Sequence, residues 1–422
     1  MKKIVVQKFG GTSVADPERI KKVAQTVIHE KELGNDVIVV VSAMGHTTDK
    51  LLRLAGEITS NPSPREMDAL LSTGECVSIA LLTMAIQSLG YKAVSLNAAQ
   101  VGIYTENIHT KARIVNIKTD TLKKYLAEDN IIVVAGFQGM TSYGDITTLG
   151  RGGSDTSAVA IAATVQAERC DIYTDVNGVY TADPRIVPNA TKLEEISYDE
   201  MLELSSVGAN VMHPRAVETG KQHKLPIRVR SSFNIKDIGT VIHGVRDMEL
   251  QKPVTGVATD LSQVRIVACD VPDKPGTAAH LFGALAKENI SVDMIIQSYA
   301  RKVENTNDIA FTIDKADLPK AVSVLEKLKK EINLGNVHID NDIAKVSIIG
   351  AGMINNTGVA SCMFKTLADL DINIKMISTS EIKISCLVDV NDSTKAVQAL
   401  HSAFNLAGDE IAEVHGTLPD QI

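Results

Sequence analysis

The 422-residue chain carries 51 acidic side chains against 43 Lys and Arg, a formal charge of −8, with 44% hydrophobic and 22% charged residues, so it is long enough for two or three globular domains. The negative balance, the absence of Trp and an aromatic content of 4% argue against a nucleic-acid surface or a base-stacking platform. No signal-peptide core or long uninterrupted apolar run suggests export or a membrane span, and Cys76, Cys170, Cys269, Cys362 and Cys386 lack CxxC spacing, so they read as reduced thiols of a cytoplasmic protein.

In chain order, Ile4-Val5-Val6 predicts a strand, and Ile20, Val23, Ala24 and Val27 share one face of a helix that follows Asp16-Pro17. Lys8-Phe9-Gly10-Gly11-Thr12-Ser13 therefore falls at a strand-to-helix turn. Glycine there lets backbone N–H groups approach an anion closely, the helix N-terminus favours negative charge, and Lys8 supplies a cation. The run Val37 to Val41 predicts a strand covered on both faces, ending in Ser42-Ala43-Met44-Gly45. Thr47-Thr48-Asp49 offers caps for the next helix, so Ser42 and Thr48 are either ligand hydroxyls at a strand's carboxyl end or turn and cap residues.

One long helical stretch is expected from Pro64 to Leu89, carrying Ser72-Thr73-Gly74-Glu75 before an apolar face. Glu75 reads either as a solvated helix position or, beside a pocket, as an anchor for an ammonium group. Ile131 to Ala135 forms another buried strand entering a glycine turn. Residues 149–158 are the second strong signal: Gly150, Gly152 and Gly153 let backbone donors converge, Arg151 can grip a carboxylate or phosphate, and Ser154 or Asp155 can cap a helix beginning at Thr156. A strand at 170–175 then ends in Thr174-Asp175. The loop from Gly178 through Tyr180 to Asp183-Pro184-Arg185 can lie over a flat ring and offer Arg185 to phosphates. There is no GxxxxGK[ST] loop, and Gly350-Ala351-Gly352 is followed by Asn355 rather than a third glycine, which disfavours a dinucleotide-dependent oxidoreductase.

Lys8 to Ser13, Ser42 to Gly45, Ser72 to Glu75, Gly150 to Asp155 and Thr174-Asp175 through Asp183-Pro184-Arg185 occur in the order found in aspartate kinases, and the resemblance covers essentially the whole chain. It implies an amino-acid-kinase domain at 1–245, an α/β/α sandwich with a mainly parallel sheet. The implied reaction transfers the γ-phosphoryl group of ATP, with Mg2+, to the side-chain carboxylate of L-aspartate. By that resemblance Lys8 stabilises the transferring group with Gly10 and Gly11, and Asp155 orients Lys8. Arg151 and Glu75 receive the substrate's α-carboxylate and ammonium, alongside Ser42, Thr48, Gly152, Gly153 and Ser154. Thr174, Asp175, Tyr180 and Arg185 match the nucleotide side; no protein ligands for the metal are assigned. Where some relatives carry a lysine after a Ser-Ser pair, Ser231-Ser232 is followed by Phe233, leaving Arg228 or Arg230 to compensate.

The second half contains an internal repeat. Gly276, Ala278, Phe282, Leu285, Ala286, Ile290, Val292 and Met294 recur 82 residues later as Gly358, Ala360, Phe364, Leu367, Ala368, Ile372, Ile374 and Met376. Each copy reads as a βαββαβ ferredoxin-like unit, at 246–340 with a linker and at 341–422. These units serve either dimerisation or sensing. They resemble ACT domains, which implies an amino-acid effector near Asp273, Gly276, Ala278, Asp293 and Gln297, with Asn355, Thr379 and Ser380 contributing. Lysine and threonine, singly or together, are the expected inhibitors. A homo-oligomer through these domains is expected, with Met248 as a candidate internal start for a shorter chain, and no homoserine dehydrogenase domain is expected to follow. The alternatives are a related amino-acid or acetylglutamate kinase and a catalytically silent amino-acid sensor; retention of Lys8, Arg151 and Asp155 weighs against the sensor.

Overall fold

The computed structural model describes residues 2–208, 211–244, 252–298 and 305–408; Met248 lies outside them. The chain forms two compact units, divided near residue 249, with the first rejoined at Gly408.

In the first unit the elements are β1 (Ile4–Phe9), α1 (Pro17–Glu32), β2 (Asp36–Val41), α2 (Thr47–Ile58), α3 (Pro64–Leu71), α4 (Thr73–Ser88), β3 (Ala93–Leu96), α5 (Ala98–Val101), β4 (Ile103–Thr105), β5 (Ile114–Ile117) and α6 (Asp120–Ala127). They continue with β6 (Ile131–Ala135), β7 (Gln138–Met140), β8 (Ile146–Thr148), α7 (Gly153–Thr164), β9 (Arg169–Thr174), β10 (Glu195–Ser197), α8 (Tyr198–Ser206), α9 (Pro214–His223), β11 (Ile227–Ser231) and β12 (Thr240–His243). An eight-stranded sheet runs β10-β12-β11-β9-β1-β2-β6-β3, parallel except where β11 meets β12. Strands β4, β5, β7 and β8 form a second, four-stranded sheet.

The β-branched run of β2 is buried from Val37 to Val41, as expected of a strand covered on both faces. Val37, Val39, Val41, Ile131 and Val133 pack against Ile20, Val23 and Val27 of α1 and Ile79, Leu82 and Ile86 of α4, forming the core of one face. Each such side chain contributes roughly 1.5–3 kcal/mol on burial. The opposite face is covered by α7, which packs on β1, β2 and β9 and carries α9 outside it. Helix α1 starts as its sequence predicts: the Asp16 carboxylate accepts from the Arg19 N–H at 2.9 Å, and Pro17 occupies the first turn.

Expected as one helix, the stretch from Pro64 is broken at Ser72 into α3 and α4. The Ser72 carbonyl accepts from the Gln138 side chain at 2.5 Å, and a Cβ at Gly74 would come within 2.8 Å of the Ala43 Cβ. Residues 64–88 are long and apolar enough to cross a bilayer by composition alone, but half of their most apolar 18-residue stretch is buried inside the protein, and α4 packs on α1 as a core helix.

The second unit comprises β13 (Gly256–Asp260), β14 (Gln263–Pro272), α10 (Thr277–Lys287), β15 (Val292–Ser298), β16 (Thr306–Asp314), α11 (Leu318–Glu331) and β17 (Val337–Asp340). It ends with β18 (Ile343–Ile349), α12 (Val359–Ala368), β19 (Met376–Thr379), β20 (Lys383–Asp389) and α13 (Ser393–Ala403). Two antiparallel sheets run β15-β16-β14-β17 and β13-β18-β20-β19. The repeat is visible in the backbone: Gly276 and Gly358, each preceding its helix, have φ of +94° and +90°. The first copy is a complete βαββαβ unit.

The second copy departs from the expected pattern. Its fourth strand is β13, from before the first copy, pairing Gly256 with Ile349 through Asp260 with Lys345. After α13 the chain instead reaches the first unit, where the Gly408 N–H donates to the Asn189 carbonyl at 2.9 Å. Strand β13 thereby covers the β18 edge that would otherwise present unpaired backbone groups.

Candidate active site

The parallel register places Lys8 beside Val40 and Ile172, with its side chain on the face covered by α7. Its Nζ lies 2.7 Å from Asp155 Oδ1, and both side chains are nearly buried. The His213 N–H donates to the other Asp155 oxygen at 3.3 Å. Helix α7 begins at Gly153, three residues before the expected start, so Ser154 and Asp155 occupy its first turn rather than cap it. The cap is Gly152, at φ +63°, where a Cβ would fall 2.2 Å from the His213 Cβ. Only glycine meets both constraints cheaply. Gly11 is similarly confined, since a Cβ there would lie 2.8 Å from the Ala43 carbonyl oxygen, and a Cβ on Gly10 would sit 3.6 Å from Lys8 Nζ. A cation, a bare glycine turn and a helix N-terminus thus converge at the carboxyl end of β1.

The Ser42 N–H donates to the Phe9 carbonyl at 3.1 Å, bringing the β2 turn against the glycine turn. The Ala43 N–H donates to Glu75 Oε1 at 3.0 Å, while the buried Glu75 Oε2 has no partner. Glu75 is only 3% exposed, and burial pushes its carboxyl up to about 7 even though the Ala43 N–H opposes the shift. Such a group is poised to receive a cationic donor. Thr47, Thr48 and Asp49 do not cap α2: His46 holds the cap position, its ring facing the Asp49 carboxylate at 3.3 Å rather than capping a backbone N–H, Thr47 Oγ1 donates to the Met44 carbonyl, and Thr48 is half-buried in the first turn. Arg151 is exposed on the loop between β8 and α7.

On the other side of β1, Thr174 Oγ1 donates to Asp175 Oδ1 at 3.0 Å and Arg185 Nη2 donates to Asp175 Oδ2 at 3.1 Å. Arg185 also lies 3.7 Å from Asp183, so two carboxylates brace it. Tyr180 is half-buried and bridges to Lys192. Arg228 and Arg230 do not compensate for Phe233. They lie on the sheet face opposite Lys8, with Arg228 donating twice to Asp171 at 2.7 Å and Arg230 donating to the Tyr173 hydroxyl and to the carbonyls of Ile235 and Asp237. The Phe233 ring instead carries the Arg19 guanidinium 4.5 Å from its centroid.

In the second unit Asp273, Gly276 and Ala278 are exposed at the turn into α10, and Gln297 near the end of β15. Asp293 lies near the other end of β15, four residues or about 13 Å away. Its carboxylate accepts from Lys345 Nζ at 2.5 Å, a buried lysine that also faces Asp260. Asn355, Thr379 and Ser380 are exposed in the second copy.

Three contributors escaped the sequence reading. His213 and Arg215 begin α9, and Arg215 donates to the Leu149 and Ala112 carbonyls, holding the strand that leads to Arg151. Their only local signal was the cap-and-proline pattern His213-Pro214. Asp68, fully buried in α3, had no local signal.

A lysine-and-glycine anion turn facing a buried carboxylate, on an α/β/α sandwich, defines a phosphoryl-transfer domain of the amino-acid-kinase class. Residues 3–231 match the amino acid kinase family, and residues 264–328 and 346–404 match the ACT domain. The aspartokinase of Geobacillus stearothermophilus is 52% identical, covering 97% of this chain and 99% of the relative; Bacillus subtilis aspartokinase 2 is 50% identical, over 96% and 98%. The crystal structure of E. coli aspartokinase III in complex with aspartate and ADP aligns at a TM-score of 0.81 and 27% identity, covering 95% of this chain and 99% of that one. The chain belongs to the aspartokinases of the amino acid kinase family, and is an ATP-dependent kinase with C-terminal ACT domains.

Proposed function

We propose that the chain transfers the γ-phosphoryl group of Mg-ATP to the side-chain carboxylate of L-aspartate, giving 4-phospho-L-aspartate and ADP, the first step toward lysine, threonine and methionine. The observation that carries this reading is Glu75, buried beside the glycine turn with one carboxylate oxygen unpartnered. An α-ammonium there would satisfy that oxygen and keep the carboxylate ionised.

A carboxylate acceptor is already ionised at neutral pH, so the reaction needs no strong base; alignment and charge neutralisation supply the catalysis. Lys8 and the Gly10 and Gly11 amides stabilise the transferring group, and Asp155 fixes the Lys8 ammonium. Arg151, with Gly152, Gly153 and Ser154 at the start of α7, receives the α-carboxylate. Ser42 and Thr48 complete the acceptor side. Thr174, Asp175, Tyr180 and Arg185 form the nucleotide side. Among the described residues no group of three or more His, Cys, Asp or Glu could hold a metal ion by itself. Mg2+ would screen the charge of the ATP phosphates, and no protein ligands are assigned to it.

Regulation is assigned to the ACT pair, with lysine, threonine or both as inhibitors; the E. coli relative has also been solved in complex with lysine and aspartate, at 28% identity and a TM-score of 0.71. Ile295, Ile339 and Ile377, apolar yet exposed on the strands of this unit, support assembly of like chains through it. The five free cysteines fit a cytoplasmic enzyme. The test is ADP formation from Mg-ATP with and without L-aspartate, then with lysine and threonine added separately and together. Aspartate-dependent turnover is expected, suppressed by at least one of them. Tight effector binding to a folded protein without turnover would support the silent sensor instead.

A further inference from the structure

Asp68 is a fully buried carboxylate on α3 that the mechanism above does not use. Its oxygens accept from the Thr110 N–H at 3.1 and 3.0 Å, from the Thr148 hydroxyl at 2.6 Å and from His109 Nδ1 at 2.8 Å. A carboxylate can only accept, so His109 carries its proton on Nδ1 in this contact.

The donors come from two segments that lead to the acceptor side. Thr148 ends β8, three residues before Arg151, and a Cβ at Gly150 would lie 3.1 Å from the Thr110 carbonyl oxygen. Asp68 itself stands four residues before the helix break at Ser72 and seven before Glu75. One buried carboxylate therefore ties the segment carrying Glu75 to the loop carrying Arg151.

We propose that Asp68 is a positioning residue that fixes the separation between Glu75 and Arg151, and so the span across which the enzyme accepts the ammonium and α-carboxylate of an amino-acid substrate. The proposal rests on the assignment of those two residues as the substrate's opposite poles. Asn at position 68 would replace one acceptor oxygen with an NH2 group facing donors, and hydrogen bonds to charged groups carry enough energy for about a tenfold effect or more. The Lys8–Asp155 pair and the nucleotide side make none of these contacts, which makes the effect selective.

Steady-state kinetics of the full chain test this, varying aspartate at saturating Mg-ATP and then Mg-ATP at saturating aspartate. Asp68→Asn is expected to raise the aspartate KM about tenfold or more while leaving the ATP KM within about twofold. Thr148→Val, which removes one hydroxyl bond, is expected to shift the aspartate KM in the same direction by a smaller factor, and it carries the test if Asp68→Asn does not fold. An unchanged aspartate KM, or parallel rises in both KM values, would overturn the proposal. Glu75→Gln measured alongside separates the two levels: if it raises the aspartate KM and the Asp68 and Thr148 variants do not, only the positioning role fails; if it leaves that KM unchanged, the assignment of the poles fails.

Discussion

In the proposed mechanism Glu75 is the ionisable group that receives the substrate's ammonium. Its folded-state value of about 7 lies above the ordinary 4.5, so the folded protein binds this proton more tightly than the unfolded chain does. Glu75 therefore costs stability progressively as pH rises from about 4.5 through about 7, reaching roughly 3 kcal/mol above that window. Thermal denaturation without ligands should show Glu75→Gln more stable than wild type at pH 8 and indistinguishable at pH 4, while its aspartate KM rises. The same titration predicts that the wild-type aspartate KM increases as pH falls below 7, because a protonated carboxyl no longer attracts an ammonium; a KM flat from pH 6 to 8 would refute it. Lys8→Ala should lower kcat about 100-fold or more and leave lysine or threonine binding unchanged by calorimetry. Comparable turnover in the two proteins would remove Lys8 from the mechanism.

Among the secondary-structure elements, the glycine turns fix the backbone geometry of the candidate site. Gly152 caps α7 from the left-handed region with His213 packed where its side chain would be, so Gly152→Ala should lose at least about 1 kcal/mol of stability and raise the aspartate KM; urea denaturation and kinetics check the two effects. Much of this was legible locally. The β-branched runs of β2 and β6, the Asp16-Pro17 start of α1 and the glycine turns follow from short-range periodicity and backbone freedom. The start of α7 was missed because Ser154 and Asp155 look like capping residues, yet long-range packing of Gly152 on His213 and pairing of Asp155 with Lys8 draw both into the helix. The break at Ser72 depends on Gln138 and Ala43, distant in sequence, and Asp68 is explicable only through Thr110 and Thr148.

Across the whole molecule, the repeat discloses two sensor-like units but not which strands complete each sheet. An 82-residue offset compares positions within each copy, whereas β13 precedes both in the chain and completes the sheet of the second. This makes β13 part of the second copy and also the first described strand after the kinase unit. Val257 is 1% exposed within it, so Val257→Asp would bury an unpaired charge and disrupt the β13–β18 edge. Effector titrations should then require several-fold more lysine or threonine for half inhibition at an unchanged aspartate KM; an unaltered inhibition curve would show that β13 has no part in regulation. Asp293 carries a related lesson, because its pairing with Lys345 joins the two copies through side chains that no comparison of repeat positions would associate.

The proposed phosphoryl transfer is tested by ADP release from Mg-ATP with L-aspartate as the only acceptor, with the acyl phosphate trapped by hydroxylamine as aspartyl hydroxamate. Aspartate-dependent ADP matched by an equal amount of hydroxamate is expected, both lowered about 100-fold or more in Lys8→Ala. ADP release independent of aspartate, or no turnover by the folded full-length protein, would contradict it.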